Sequence, residues 1–337
     1  MTNIQGWADA HQYDAAPMGA KRDEQGNILP TVHLLWMTPD PLGAVAAMCR
    51  MYEGIPTYDM ASITEDERRR YFEQVQKTHL RAPLEAIKLH FFIEGVTRSF
   101  THQMVRQRTA VYAQESMRFA VKENMADEIS TPPSIAALAK NHPTRQKWDE
   151  AIAKASDTYN FLIANGIPAE DARGLAPHAT TTRLNYITDL RNLAEHAGNR
   201  LCTQAQFEWR IVFMGIVAAI RDYGHLPKGS AATSGISHNW LAYNSWQYKM
   251  ISDSGLFRPI CYQLGKCMFE ADFDRSCTIR ERVTARAEVG SRDSSKWYKP
   301  LLGRPGDDSY KDDGIDPAEW MLDPSAARKA SGGGGHD

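Results

Sequence analysis

The chain has 337 residues, with 39 Lys plus Arg against 41 Asp plus Glu, a net charge of -2. Apolar residues make up 42% and charged residues 24%, the balance of a globular chain long enough for one large domain or two ordinary ones. The near-neutral charge argues against holding nucleic acid by bulk electrostatics, and no apolar run approaches the roughly 20 residues that span a bilayer.

The opening MTNIQGWADAHQYD lacks a basic segment followed by an apolar one, so it does not read as a leader or an anchor. Five cysteines (Cys49, Cys202, Cys261, Cys267 and Cys277) form an odd, sparse set that suits a reduced, cytoplasmic setting. Cys261, Cys267 and Cys277 with His238 would be a zinc quartet, but they contain no CxxC pair; free thiols fit better and no metal site is expected.

Residues 1–30 are polar and read as an N-terminal arm. Asp40-Pro41 predicts an N-cap and first helical residue, with LGAVAAMCRMY as the helix. Ser62-Ile63-Thr64-Glu65 matches a capping box before EDERRRYFEQVQ. In residues 84–95 Leu89, Phe91 and Ile93 alternate with His90, Phe92 and Glu94, which predicts a strand. TRSFTHQMVRQRT then reads as a helix and SMRFAV as a strand. Trp148, Ile152, Ala155, Tyr159 and Leu162 share one face of a helix over 144–165, ended by Gly166 and Pro168. The β-branched run ATTTRLNYIT predicts another strand, followed by a helix with Leu190, Leu193, Ala194 and Ala197 on one face. QAQFEWRIVFMGIVAAIRDYG is apolar nearly all round, as a helix buried in a core or an oligomer interface is. Pro227 and KGSAATSG mark a boundary. Residues 228–330 read as an extension packed on the core, with Trp297 and Trp320 as anchors, and 331–337 as a disordered tail.

The chemistry concentrates in RQRTAVYAQESMR, residues 106–118. On a helix before it, Gln103 shares a face with Arg106 and Gln107, while Arg108 points elsewhere. On an extended strand, Gln114, Ser116 and Arg118 alternate and would point one way, with Glu115, Met117 and Phe119 pointing the other. A hydroxyl, an amide and a guanidinium on one face suit an anionic, amide-bearing ligand. The same spacing also suits a solvated arginine-rich segment, and spacing alone leaves both open. Arg173, Arg191 and Arg200 recur downstream near apolar segments.

Taken together, these segments resemble the flavin-dependent thymidylate synthase family, often called ThyX. The family signature RHRxxSxNExSxR stands here as RQRTAVYAQESMR, matching at Arg106, Arg108, Ser116 and Arg118. Gln107, Val111, Ala113 and Gln114 depart from the family His, Ser, Asn and Glu. Gln103 stands where the family has Gln. HLRAPLE resembles its His…Pro-x-Glu stretch, with His79, Pro83 and Glu85, and DARGLAP its Arg-x-x-Leu-Pro. From Pro177 through Arg191, Arg200 and QAQFEW the spacing agrees, although Asp189 and Glu195 stand where Asn is usual. The resemblance covers residues 31–227, a catalytic domain.

The resemblance implies an α+β fold with a central antiparallel sheet, flanking helices and an obligate homo-oligomer, a homotetramer. It implies conversion of dUMP to dTMP with FAD as cofactor and NADPH and methylenetetrahydrofolate as co-substrates, without an enzyme nucleophile. By family position Gln103, Arg106, Gln114, Ser116, Arg118, Arg173 and Arg200 would meet the nucleotide. Arg200 at the pyrimidine edge would be catalytic. His79, Glu85, Arg106, Gln107, Arg108, Arg191 and Glu195 would meet FAD. Gln114 in place of a carboxylate admits a second substrate, dCMP, or a hydroxymethyl product, because an amide both donates and accepts. The lost signature His admits a non-catalytic flavin or nucleotide binder.

Overall fold

The computed structural model describes residues 21–22, 27–78, 80–122, 124–202, 205–225 and 243–261. Its centre is an antiparallel sheet in the order β3-β4-β6-β5, with β3 at Thr31–Met37, β4 at Lys88–Thr97, β5 at Val111–Gln114 and β6 at Thr181–Asp189. A short hairpin, β1 (Lys21–Arg22) with β2 (Ile28–Leu29), precedes it. The helices longer than one turn among the described residues are α1 (Pro41–Tyr52), α2 (Glu65–Lys77), α3 (Arg98–Met104), α4 (Pro143–Ala164), α5 (Leu190–Arg200), α6 (Phe207–Asp222) and α7 (Ser245–Ser252). This mixture of helices around an antiparallel sheet is the α+β architecture that the resemblance implies.

The expected alternation holds in β4 from Leu89 to Ile93: Leu89, Phe91 and Ile93 are buried, whereas His90 and Phe92 are only partly covered. It fails at Glu94, which is buried at 5% exposure, its carboxylate meeting Thr31 and His33 of β3. The inner face of the sheet packs on α1, α2, α5 and α6 in one continuous core. A bulge between Glu94 and Val96 breaks the β4–β6 register at Gly95, where φ is +72°. A Cβ there would meet the Leu29 carbonyl at 2.7 Å, so only glycine admits this approach of β2. A second, smaller core forms where α4 lays Trp148, Ile152, Tyr159 and Leu162 over Met117, Met125 and Ile129.

Asp40 caps α1 by accepting from the Gly43 N–H, and its carboxylate also receives Arg68 of α2 at 3.1 and 2.6 Å. The nearly all-apolar helix is α6, whose Trp209, Val212, Phe213, Ile216, Val217 and Ile220 are buried. It lies against β3 on one side and α7 on the other. From α7, Tyr248 and Ile251 join the main core, and the side-chain Oε1 of Gln247 accepts from the Leu42 N–H at 2.9 Å.

Three local readings shift. The capping box is Thr64 with Glu67, two residues later than the spacing around Ser62 suggested, because Ser62 is drawn into a 3-10 turn and donates to Asp59 O. The helix expected over TRSFTHQMVRQRT stops at Met104, where the Tyr112 hydroxyl reaches the carbonyls of Met104 and Gln107 at 2.9 and 3.0 Å. SMRFAV is a turn, and the strand lies earlier, at Val111–Gln114. Phe119 N and Ala120 N both donate to Ser116 O, and the Ser116 hydroxyl takes the Arg118 N–H, so local bonds outcompete a ladder. Cys267, Cys277, His238, Trp297, Trp320 and the 331–337 tail lie outside the described residues. Among the described residues no His, Cys, Asp or Glu group is placed to hold a metal, and no helix is long and apolar enough to cross a membrane.

Helix α6 comes close to β3 at Gly215, where a Cβ would sit 2.8 Å from Val32 Cγ2. Gly215→Ala is expected to destabilise the fold by about 1–3 kcal/mol through overpacking, read as a lower urea midpoint at unchanged slope.

Candidate functional site

Helix α3 starts at the end of β4, capped by the Thr97 side chain, which accepts from Phe100 N. Its residues feed two neighbouring groups. The first surrounds Arg200, at the last turn of α5. The Arg200 guanidinium lies 4.9 Å over the Trp209 ring and donates from Nη1 to Gln103 Oε1 and from Nε to His196 Nε2, each at 3.4 Å. Trp209 Nε1 also donates to Gln103 Oε1, at 3.0 Å. His196 is buried edge-on against Trp209 and Phe213. Burial, then the Arg200 charge, pull its pKa down to about 3, so the ring is neutral and can accept from Arg200. Burial also lowers the Arg200 guanidinium below its ordinary range.

The second group lines a pocket of about 330 Å³ that includes Arg98, His102, Glu170, Arg173 and His178. Burial, followed by the neighbouring Arg173 charge, pulls Arg98 below its ordinary range, against the opposing effect of Glu115. Arg118 reaches the pocket rim by pairing with Glu170 at 3.0 Å, and Arg173 Nε donates to the Glu170 backbone carbonyl at 3.2 Å. Crowded cations around one cavity favour an anion there. Arg118 therefore arrives through a turn, not along a strand with Gln114 and Ser116.

The remaining sequence candidates fall into other groups. Gln107 turns inward: its Nε2 donates to Asn192 O at 3.1 Å and its Oε1 accepts from the Tyr186 hydroxyl at 2.8 Å. Gln114 Nε2 donates to Thr101 and Thr182 hydroxyls at 3.2 and 3.5 Å. Glu85, Arg191 and Glu195 form an exposed ion-pair chain, with Arg191 at 2.6 Å from Glu85 and 3.1 Å from Glu195. Arg106 and Arg108 are exposed in the turn that follows α3. His79 lies outside the described residues. Sequence reasoning missed Arg98, His102, His178, His196, Gln206 and Glu208. Two helical spacings were legible signals: Arg98 with His102 on α3, and His196 with Arg200 on α5, each four apart.

Residues 33–223 match the family described as Thymidylate synthase complementing protein. A flavin-dependent thymidylate synthase of Geobacter sulfurreducens is 30% identical over 192 residues, 56% of this chain and 82% of that one. The enzyme of the same name from Pyrococcus horikoshii is 32% identical over 253 residues, 74% of this chain and 95% of that one. A solved structure described as flavin dependent thymidylate synthase ThyX from Helicobacter pylori complexed with FAD and dUMP covers 58% of this chain and 94% of its own, at 18% identity and a TM-score of 0.44. An antiparallel sheet with flanking helices defines the class of the fold as α+β. The chain belongs to the thymidylate synthase complementing protein family.

The neutral His196 sets a pH dependence. Its folded pKa lies below the ordinary 6.5, so between pH 6.5 and 3 the unfolded chain holds a proton that the folded chain does not. Stability is therefore full above 6.5 and lost as pH falls toward 3, by up to about 1.4 kcal/mol per pH unit from this group. Urea unfolding at a series of pH values is expected to show a shallower acid loss in His196→Gln than in the parent.

Proposed function

We propose that the protein is a flavin-dependent thymidylate synthase, converting dUMP to dTMP with methylenetetrahydrofolate as one-carbon donor and NADPH as reductant. The observation that carries this reading is the pairing of an arginine-lined pocket with a second arginine, Arg200, held on Trp209 and Gln103. The first suits a nucleotide phosphate, received by Arg118, Arg173 and the Ser116 hydroxyl. The second suits the pyrimidine edge. There Arg200 favours the negative charge that develops on the base as C5 becomes nucleophilic. Gln103 faces the same edge.

FAD when bound supplies the hydride that completes the methyl group. Arg106 and Arg108 fit it: among the described residues neither has an ion pair, and two exposed cations suit a diphosphate. Glu85, Arg191, Glu195 and His79 complete the set expected at the flavin, whereas Gln107 is committed to Asn192 O and the Tyr186 hydroxyl. In this reading no thiol attacks the base. Cys202, just past Arg200, is outside the chemistry. Gln114 gives its amide N–H to Thr101 and Thr182; dUMP is the substrate of this reading because of the family match, and turnover of dUMP against dCMP decides between the two.

A homotetramer is part of the reading. Trp36, His90, Ile187 and Val111 pair in one cross-strand row on the outer face of the sheet. Trp36 is 40%, Ile187 38% and Val111 63% exposed, an apolar row that partner subunits would cover. The chemistry and the reduced thiols suit the cytoplasm.

Purified protein given FAD, NADPH and methylenetetrahydrofolate is expected to release tritium from C5 of labelled dUMP. Turnover of dCMP alone, or none with either nucleotide while flavin is bound, contradicts the reading. Arg200→Ala is expected to lose about 100-fold or more in kcat with the flavin spectrum retained.

A further inference from the structure

We propose that Glu208 is a positioning residue for Arg200, acting through the amides of Gln206 and Gln103. The proposal rests on the reading of Arg200 as the group at the pyrimidine edge.

Glu208 is 1% exposed, and its carboxylate takes the Thr97 N–H at 2.8 Å and the Thr97 hydroxyl at 2.6 Å. It also takes Gln206 Nε2. Burial pushes the Glu208 carboxyl above its ordinary range, and the bonds from Thr97 and Gln206 oppose that; three donors converging on one carboxyl hold the ionised form, which only accepts. Gln206 must therefore turn its NH₂ to Glu208. Its Oε1 is left for Gln103 Nε2, at 2.7 Å. Gln103 Oε1 is left in turn for Trp209 Nε1 and Arg200 Nη1, at 3.0 and 3.4 Å. Indole and guanidinium nitrogens only donate. An acceptor-only group at one end and donor-only groups at the other give the two amides one consistent orientation.

Glu208→Gln keeps the shape and breaks this polarity. Thr97 N–H still needs an acceptor, so the new amide turns its NH₂ toward Gln206. Somewhere along the chain a donor then faces a donor. The conflict is relieved at the loosest link, the partly exposed Arg200, whose bonds to Gln103 and His196 are both 3.4 Å. The guanidinium swings off the base edge.

The test is a double-mutant cycle on the FAD-loaded enzyme, with kcat, dUMP affinity and melting temperature measured for each variant. Glu208→Gln is expected to lower kcat roughly tenfold to hundredfold, and less than about twofold further in an Arg200→Lys background. Losses that multiply in the double variant, or an unchanged kcat in Glu208→Gln, overturn the relay. If Glu208→Gln does not fold, Gln206→Met cuts the chain while leaving Glu208 on Thr97, with the same expectations. If Arg200→Lys alone keeps full kcat, the catalytic reading of Arg200 fails. The relay is then judged from a crystal structure of Glu208→Gln: a rotated Arg200 supports it and an unmoved one overturns it.

Discussion

The antiparallel ladder between β4 and β6, from Lys88–Asp189 to Thr97–Thr181, is the constraint on which the site depends. Each strand runs straight into a helix. Thr97 caps α3 and Asp189 caps α5, so the two helices start at opposite ends of the ladder. Eleven residues of α5 carry the chain back about 16 Å, which returns Arg200 to Gln103 of α3. Segments about a hundred residues apart thereby share one group of side chains. The ladder also needs Gly95 at its bulge, because only glycine admits the Leu29 carbonyl of β2 there.

Around this frame the polar groups divide by burial. Glu208, His196 and Gln103 sit at or near the core and carry directional bonds that a low-dielectric setting strengthens. Glu85, Arg191 and Glu195 form an ion-pair chain in solvent, where such pairs contribute little stability. Glu85 lies in the 3-10 turn Ala82–Ala86 before β4, and Arg191 and Glu195 on α5, where all three are open to a ligand. The cationic pocket lies between these extremes: Arg98 is partly buried and Arg118 is held at the rim by Glu170. Its geometry asks for an anion, which the nucleotide phosphate of the proposed reaction would supply.

Much of the fold was legible. Alternation identified β4, β-branched residues identified β6, and four-three spacing identified α4, because each of these periods is imposed by burying one face. Asp40-Pro41 was legible because a cap is a local bond. The strand drawn at SMRFAV and the helix drawn through RQR were not legible. Both were decided by residues distant in sequence or by competing local bonds: Tyr112 terminating α3, and Ser116 folding the chain back on itself.

The candidate set Gln103, Arg118, Arg173 and Arg200 could be named from the sequence itself, since motif order and spacing are properties of the chain. How these residues divide was decided only by tertiary structure. Arg118 and Arg173 belong to one cavity, Gln103 and Arg200 to a stacked cluster on Trp209, and Gln107 to the interior with Tyr186. The direction of a side chain depends on which partners reach it. His196 was within reach of spacing, four residues before Arg200 on α5, but Glu208 and Gln206 meet Thr97 and Gln103 through bonds that no spacing announces, because those partners lie about a hundred residues away in the chain.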